Sequence, residues 1–327
     1  MAPYKYRIVG TDINEYHIHL SDCDVRYIVP EGTNAFYLDV LKEVIEIEGV
    51  DFVHPQPDAE VLAIAGRKLE ALTFLPSKHV IELCHDKFLT NYELKRAEVP
   101  VPESFLLITR QDAYDIMGHL GGPLWLRAVH GAGSKAALLV KSAEQANGWI
   151  DYWQNVKGLG YRDFMLSEYL PGFDYAWTSL WKDGVLLCSQ ARRRIWYLYG
   201  FLSPSGTSST PSVAVTVNNP KVNDAATRAV QAVDRKPNGV YCVDLKENTE
   251  GIPCVTEINA GRFFTTINFF AEAGLNFPYA YLQAAFGFEL PKYEQYDNLP
   301  PGLFWVRMVD MGYKLMTQTE IDKVSHI

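Results

Sequence analysis

Two spacings of apolar residues alternate along the first third of this chain. Tyr6–Gly10 and Val25–Val29 are short β-branched and apolar runs that read as strands. Asn34–Glu48 carries Phe36, Leu38, Val40, Leu41, Val44, Ile45 and Ile47, a helical spacing with Asn34 as its N-cap. Val50–His54, closed by Pro55, predicts a third strand. Asp58–Ala71 predicts a second helix, and Phe74-Leu75 a short strand before Pro76. Strands alternating with helices predict a parallel sheet with crossover helices, and in such a sheet ligands gather at the carboxyl ends of the strands. Asp12, His54 and Asp58 are therefore candidates for a cleft lining, although each reads more readily as a cap or a polar loop residue. No GxGxxG follows the first strand, so the dinucleotide fingerprint is absent.

The pattern then changes. Lys78–Arg96 is helical until Val99-Pro100-Val101-Pro102 breaks it. Phe105–Ile108 reads as a strand, Arg110–Leu120 as a helix and Leu124–Arg127 as a strand. The run AVHGAGSKAALLV continues into another strand, Ala136–Val140. Gly131, Ala132, Gly133 and Ser134 let backbone N–H groups approach an anion closely. A strand follows where a Walker loop requires a helix, so the choice is between a phosphate-covering hairpin tip and an ordinary hairpin loop. Ser142–Tyr152 is helical. Phe164–Tyr169, Tyr175–Trp181, Val185–Trp196 and Val213–Val217 read as strands, with Lys182-Asp183-Gly184 as a hairpin turn and Phe201–Ser212 as a loop. Asn223–Val233, Phe269–Gly274 and Phe277–Phe286 read as helices, and Leu303–Val309 as an edge strand.

Chemistry concentrates in one predicted hairpin. Val240–Leu245 and Pro253–Ile258 are apolar runs separated by KENTEG, which ends in Glu250-Gly251. Pairing them brings Asp244 near Glu257 and Asn259, and the last two, being two residues apart, share a face. Two carboxylates and an amide oxygen are hard ligands suited to Mg²⁺ shared with nucleotide phosphates. Arg262 follows as a cation for phosphate or acyl-phosphate oxygens. A solvated hairpin carrying scattered acids is an equal reading of the two strands taken alone.

Composition narrows the choices. The 327 residues suit two or three packed sub-domains, and 48% hydrophobic content is ordinary for a globular protein. A formal net charge of −9 argues against a general nucleic-acid binder. The five cysteines (Cys23, Cys84, Cys188, Cys242, Cys254) show no CxxC spacing, which predicts buried thiols in a reducing cytoplasm rather than disulfides or a zinc site. No secretory leader is visible at the start, and no run of about 18 apolar residues predicts a membrane span.

In order along the chain stand HPQPDAEV, FLPS, HDK, VPVPES, LWLRAVHGAGS, SEYLPG and VDL…VTEINAGR. Their order and spacing over roughly residues 1 to 290 resemble the ATP-grasp enzymes, most closely the carbamoyl-phosphate-synthase-like branch. The resemblance implies an α/β and α+β chain with the ATP-grasp fold. An N-terminal doubly wound domain (1–83) would precede a small subdomain with the phosphate loop (84–170) and a C-terminal subdomain with metal and substrate sites (171–327). It implies ATP and Mg²⁺ or Mn²⁺ as cofactors, and ligation of a small carboxylate to an amine through an acyl-phosphate, giving ADP and phosphate. No nucleic-acid or membrane partner is expected, and a homodimer is open because many relatives form one.

Carried over residue by residue, Lys87 resembles the first phosphate-binding lysine and Arg127 a ligand of the α- and β-phosphates. Gly131, Gly133 and Ser134 resemble the flexible phosphate loop, with Lys135 beside it. Glu168, Tyr169 and Leu170 resemble the hinge that reads adenine, and Asp174 stands where a glutamate usually binds the ribose. Asp244, Glu257 and Asn259 match the metal set. Arg262 matches the arginine of the EiNpR signature, which Ala260 and Gly261 interrupt here. Arg192 is a candidate for the phosphoryl-acceptor side, with Arg194 on the same face of a strand. Trp305, Arg307 and Asp310, beyond the matched motifs, line a substrate pocket or cover a sheet edge. Two other functions stay open: a carboxylase or carbamoyl-phosphate-type enzyme using bicarbonate, and a nucleotide-binding regulatory protein without catalysis.

Overall fold

The computed structural model describes residues 6–131, 136–208, 210–308, 323 and 325–326. At the N-terminal end, β1 (Val9–Asp12) pairs parallel with β2 (Val25–Ile28). α1 (Tyr37–Glu48) and α2 (Asp58–Ile64) cover them, burying Tyr37, Leu41, Val44, Ile45 and Ile64 against Tyr27 and Val29. The predicted strands Val50–His54 and Phe74-Leu75 do not form. A single parallel bridge, Phe52 to Leu72, replaces them. Pro55, Pro57 and Pro76 remove the ladder donors that longer pairing needs. The helix predicted over Asp58–Ala71 stops at Ile64, because Gly66 turns the chain at φ +68°.

The helix predicted over Lys78–Arg96 is two helices, α3 (Lys78–His85) and α4 (Lys87–Arg96). Asp86 between them is extended, and its carboxylate accepts from the Leu89 N–H at 2.8 Å as the N-cap of α4. This break sets Lys87 in the first turn of α4, where its N–H donates to the Val129 carbonyl at 3.1 Å.

β3 (Ser104–Leu106), α5 (Asp112–Leu120), β4 (Leu124–Ala128), β5 (Leu138–Val140), α6 (Ala143–Lys157) and β6 (Phe164–Glu168) form the next unit. Its sheet has the order β3-β6-β4-β5. Leu124, Leu126, Val140, Phe164 and Leu166 bury one face against Ala113, Ile116, Ala146 and Ile150 of the helices. Strand alternation turns Arg127 to the opposite face.

β7 (Asp174–Lys182), β8 (Val185–Tyr197), β9 (Pro211–Val217), α7 (Pro220–Val233), β10 (Gly239–Glu247), β11 (Pro253–Ala260), α8 (Asn268–Glu272), α9 (Phe277–Phe286) and β12 (Phe304–Val306) follow. The strands make a six-stranded antiparallel sheet, β11-β10-β7-β8-β9-β12. α7 lays Val222, Ala225, Ala226, Ala229, Val230 and Val233 on one face, against Trp177, Tyr241 and Val243. α8 and α9 cover the other with Phe269, Phe270, Phe277 and Tyr281 against Ala176, Leu180, Val240 and Cys242. β13 (Ser325–His326) returns to pair with β2. All five cysteines are buried free thiols. Among the described residues no helix is long and apolar enough to cross a membrane.

The segment before α3 docks on the large sheet at one tight point. Gly239 has φ +87°, and a Cβ there would overlap the Phe74 carbonyl oxygen, which accepts from the Tyr281 hydroxyl at 2.7 Å. Gly239→Ala is expected to destabilise the fold by roughly 1–3 kcal/mol through backbone strain and lost docking. Urea unfolding reads this, and a change within about 0.5 kcal/mol refutes the contact's importance.

Candidate active site

The predicted hairpin is β10–β11, and a bulge decides what faces what. From the turn, Leu245 pairs with Val255. An extra residue, Thr256, then lets Asp244 pair with Glu257 and Cys242 with Asn259. The Thr256 hydroxyl fixes the bulge by donating to the Asp244 carbonyl at 3.1 Å. Two carboxylates thus stand side by side on one face.

Cations from four parts of the chain surround them. Lys87 Nζ lies 3.7 Å and Arg127 Nη1 4.0 Å from the Glu257 carboxylate. Both are also anchored to backbone, Lys87 on the Gly131 carbonyl and Arg127 on the Thr256 carbonyl, each at 2.6 Å. Arg194 of β8 grips Asp244 and, at 3.0 Å, Asp174. Arg262 donates to Asn259 Oδ1 and to Asp58 at the start of α2. Asn259 Nδ2 in turn donates to Asp244 at 3.3 Å. Burial favours the neutral form of Glu257, but Lys87, Arg127, Arg262 and Arg194 outweigh it and hold its carboxyl below the usual range. Asp244 goes the other way. Burial, helped by the negative charges of Glu257 and Asp174, overrides Arg194 and pushes its carboxyl up to about 6.

Lys87, Arg127, Gly131, Asp244, Glu257, Asn259 and Arg262 therefore converge. Gly131 sits at the edge of the loop after β4 with φ +99°, whereas Gly133, Ser134, Lys135 and Asp310 lie outside the described residues. Glu168 ends β6 and borders a separate cleft with Lys95, Glu98, Val101 and Glu103. Half-buried Tyr169 and buried Leu170 follow it. Asp174 is held by Arg194 and by the Tyr197 hydroxyl. Arg192 is buried beside Phe264 and Phe270, with Nη1 donating to the Thr266 carbonyl at 3.1 Å.

Of the N-terminal candidates, Asp58 reaches the site through Arg262. Asp12 accepts from the Asn14 N–H at 2.8 Å as a turn residue. His54 is packed on Phe263 and Tyr281, with burial lowering its pKa. His85, which the pattern did not single out, lines the cleft with Asp58, Lys87, Glu257 and Asn259. The sequence signal for it was its place directly before Asp86-Lys87. Asp244, Glu257 and Asn259 offer three oxygen ligands, and a divalent cation among them would offset the burial and the neighbouring negative charges that raise Asp244. Among the described residues no group of three or more His, Cys, Asp or Glu is placed to hold a metal ion.

No protein-family model matches the chain. Solved structures match it closely in backbone. The biotin carboxylase domain of Hydrogenobacter thermophilus 2-oxoglutarate carboxylase, in complex with MgADP, ADP and bicarbonate, superposes with a TM-score of 0.69 at 17% identity, over 90% of this chain and 67% of that one. The carboxyaminoimidazole ribonucleotide synthase of Aspergillus clavatus, complexed with ATP, gives a TM-score of 0.64 at 16% identity, over 88% and 72%. The L-amino acid ligase of Bacillus licheniformis gives 0.56 at 17%, over 80% and 62%. The fold of this chain is the fold of these proteins.

Replacing Arg194 by Leu leaves Asp244 and Asp174 without their shared cation. In EDTA at pH 8 the loss of unfolding free energy is expected to be roughly 3–5 kcal/mol. An ionised carboxylate whose folded-state pKa is raised destabilises the fold, and protonation relieves this as pH falls through about 6. The loss at pH 5 is therefore expected to be smaller than at pH 8. Denaturant titrations at the two pH values check this, and a loss that grows at pH 5 contradicts it.

Proposed function

We propose that this chain, which has the ATP-grasp fold, is an ATP-dependent ligase that activates a carboxylate as an acyl-phosphate and passes it to an amine. The observation that carries this reading is the Asp244–Glu257 pair ringed by Lys87, Arg127 and Arg262, where Arg127 of the four-stranded sheet reaches β11 of the six-stranded one. Phosphoryl transfer needs charge dispersal and positioning more than it needs a protein nucleophile, and this site is built from charge.

Asp244, Glu257 and Asn259 would hold Mg²⁺, which supplies charge neutralisation at the phosphates. Lys87 and Arg127 bind phosphate oxygens. Both already project to Glu257 from the small sheet's side, and Arg127 can grip two oxygens at once. Glu168, Tyr169 and Leu170, at the end of β6, receive the adenine. Asp174, which stands where the resemblance puts the ribose ligand, is also joined to Arg194 and fixes its guanidinium against Asp244. Arg262, braced by Asp58, orients the reacting carboxylate. Exclusion of water then protects the acyl-phosphate until the amine attacks.

A second reading takes bicarbonate as the acid. It draws on the likeness to the carboxylase domain solved with MgADP and bicarbonate. Incubation with ATP, Mg²⁺ and a panel of carboxylic acids, with and without mixed amines, separates the two. ADP and phosphate release that needs both an acid and an amine supports the ligase. Release with bicarbonate alone supports the carboxylase. AMP and pyrophosphate overturn the acyl-phosphate route.

Glu257→Gln is expected to abolish turnover and to lower the melting temperature, because Lys87 and Arg127 lose their counter-charge, with the variant still folded. Wild-type turnover in that variant removes the metal assignment. Arg127→Ala is expected to weaken Mg-ATP binding by about tenfold or more, the loss typical of a charged hydrogen bond. Unchanged affinity by calorimetry refutes its role.

A further inference from the structure

One cation near the site has no counter-charge. Arg192 is 1% exposed, yet it makes no ion pair among the described residues, whereas Arg194 two residues on is held by two carboxylates. Its guanidinium is flanked by the Phe264 and Phe270 rings, each 5.3 Å from Cζ. Nη1 donates to the Thr266 carbonyl, and Nε is buried without a partner. Two more buried polar atoms beside it are also unpartnered: Nε of Arg194, which shares the Phe264 ring at 5.3 Å, and the hydroxyl of Thr266. Nε1 of Trp305, stacked on Phe269 next along α8, is a fourth.

Such a set is unfavourable by itself. Aromatic faces stabilise a guanidinium only modestly, whereas a buried charge without an opposite charge is strongly destabilising. Burial first, and then the positive charge of Arg194, push Arg192 down to about 9, which leaves it charged at neutral pH. Arg194 Nε and the Thr266 hydroxyl, the unpartnered groups beside it, can both donate and neither is a carboxylate, so an anion would complete them.

The sheet fixes where Arg192 stands relative to the carboxylate pair. Glu257, Asp244, Ala176, Arg192 and Thr216 form one row across β11, β10, β7, β8 and β9, all on the face that α8 covers. Ala176 is the only residue between Asp244 and Arg192. Two interstrand spacings of about 4.8 Å put their backbones about 10 Å apart. Arg262, not Arg192, contacts Asn259 of the metal set.

We propose that Arg192, with Thr266 and the Arg194 Nε, is a subsite for a second anionic group of the acceptor, a carboxylate or phosphate set apart from the carboxylate that reacts at Arg262. The substrate class is then a dianionic acid, either a dicarboxylate or a phosphorylated acid. Bicarbonate alone is too small to span the two positions. This assignment rests on the ligase reading for the reacting end, but the subsite can be tested by itself.

The test uses the full chain with Mg-ADP and three probes: succinate, inorganic phosphate and acetate. Affinity is read by calorimetry and by fluorescence of Trp305, against a Trp305→Phe control. Succinate or inorganic phosphate is expected to bind more tightly than acetate, and which of the two is preferred distinguishes a carboxylate from a phosphate group. Arg192→Met is expected to weaken that probe by at least about tenfold, with Mg-ADP affinity unchanged. Its urea midpoint without ligand is expected to equal or exceed that of the parent, because an apolar side chain replaces an unpaired buried charge. Thr266→Val is expected to weaken the same probe with folding intact, which keeps the test open if Arg192→Met misfolds. A lower urea midpoint for Arg192→Met with probe binding retained makes Arg192 a structural clamp and overturns the proposal. So does the absence of any dianion preference in the parent. Failure of the parent to bind Mg-ADP instead strikes the nucleotide reading, and is told apart by that measurement.

Discussion

Two carboxylates on neighbouring strands repel each other, and burial makes the repulsion stronger. Asp244 and Glu257 meet this constraint by drawing cations from four parts of the chain. Lys87 comes from the first turn of α4, Arg127 from the small sheet, Arg194 from the centre of the large sheet and Arg262 from the loop after β11. Asp58 reaches in from α2 to hold Arg262. Neutralising one pair of charges therefore ties the N-terminal helices and both larger sheets to one point. The same balance readies the site for a ligand, because the cations that satisfy Glu257 are also of the kind that bind phosphates.

The backbone supports this arrangement through few but well-placed contacts. The Val255 N–H donates to the Pro100 carbonyl at 2.8 Å, and the Arg127 guanidinium donates to the Thr256 carbonyl, so the small unit leans on β11 from two sides. A fold shared with biotin carboxylases, carboxyaminoimidazole ribonucleotide synthetases and an amino acid ligase at 14–19% identity is what such a layout predicts. Strand order and layer packing can persist while individual side chains change, and chemistry then depends on which charges stand in the cleft.

Arg192 and Arg194 point to the same face from adjacent turns of one pleat, yet their surroundings are opposite. Arg194 is paired through its two terminal nitrogens with Asp174 and Asp244. Arg192 has aromatic rings, one carbonyl and donors around it. A buried charge that the chain itself does not neutralise is a directional clue to the ligand, more specific than the fold.

Much of this was legible in the sequence. Helix α7, the turn at Lys182-Asp183-Gly184 and the hairpin ending in Glu250-Gly251 follow from local spacing and turn chemistry, and those elements carry Asp244, Glu257, Asn259 and the arginine run. The break at Asp86 was not legible, because Lys78–Arg96 keeps helical character throughout and only the docking of Lys87 on Val129 selects the cap. Register was not legible either. Without the bulge at Thr256, Glu257 would face Val243 and Asp244 would face Thr256. Without the irregularity between Leu180 and Trp181, Asp174 would pair with Arg193 rather than Arg194, and Ala176 with Ala191 rather than Arg192. A period-two pattern names the residues of a strand, but a one-residue shift moves them all to the other face. Packing across the sheet chose the shift, so the sequence by itself determined the charged inventory and its strands, while the tertiary structure decided which charges meet.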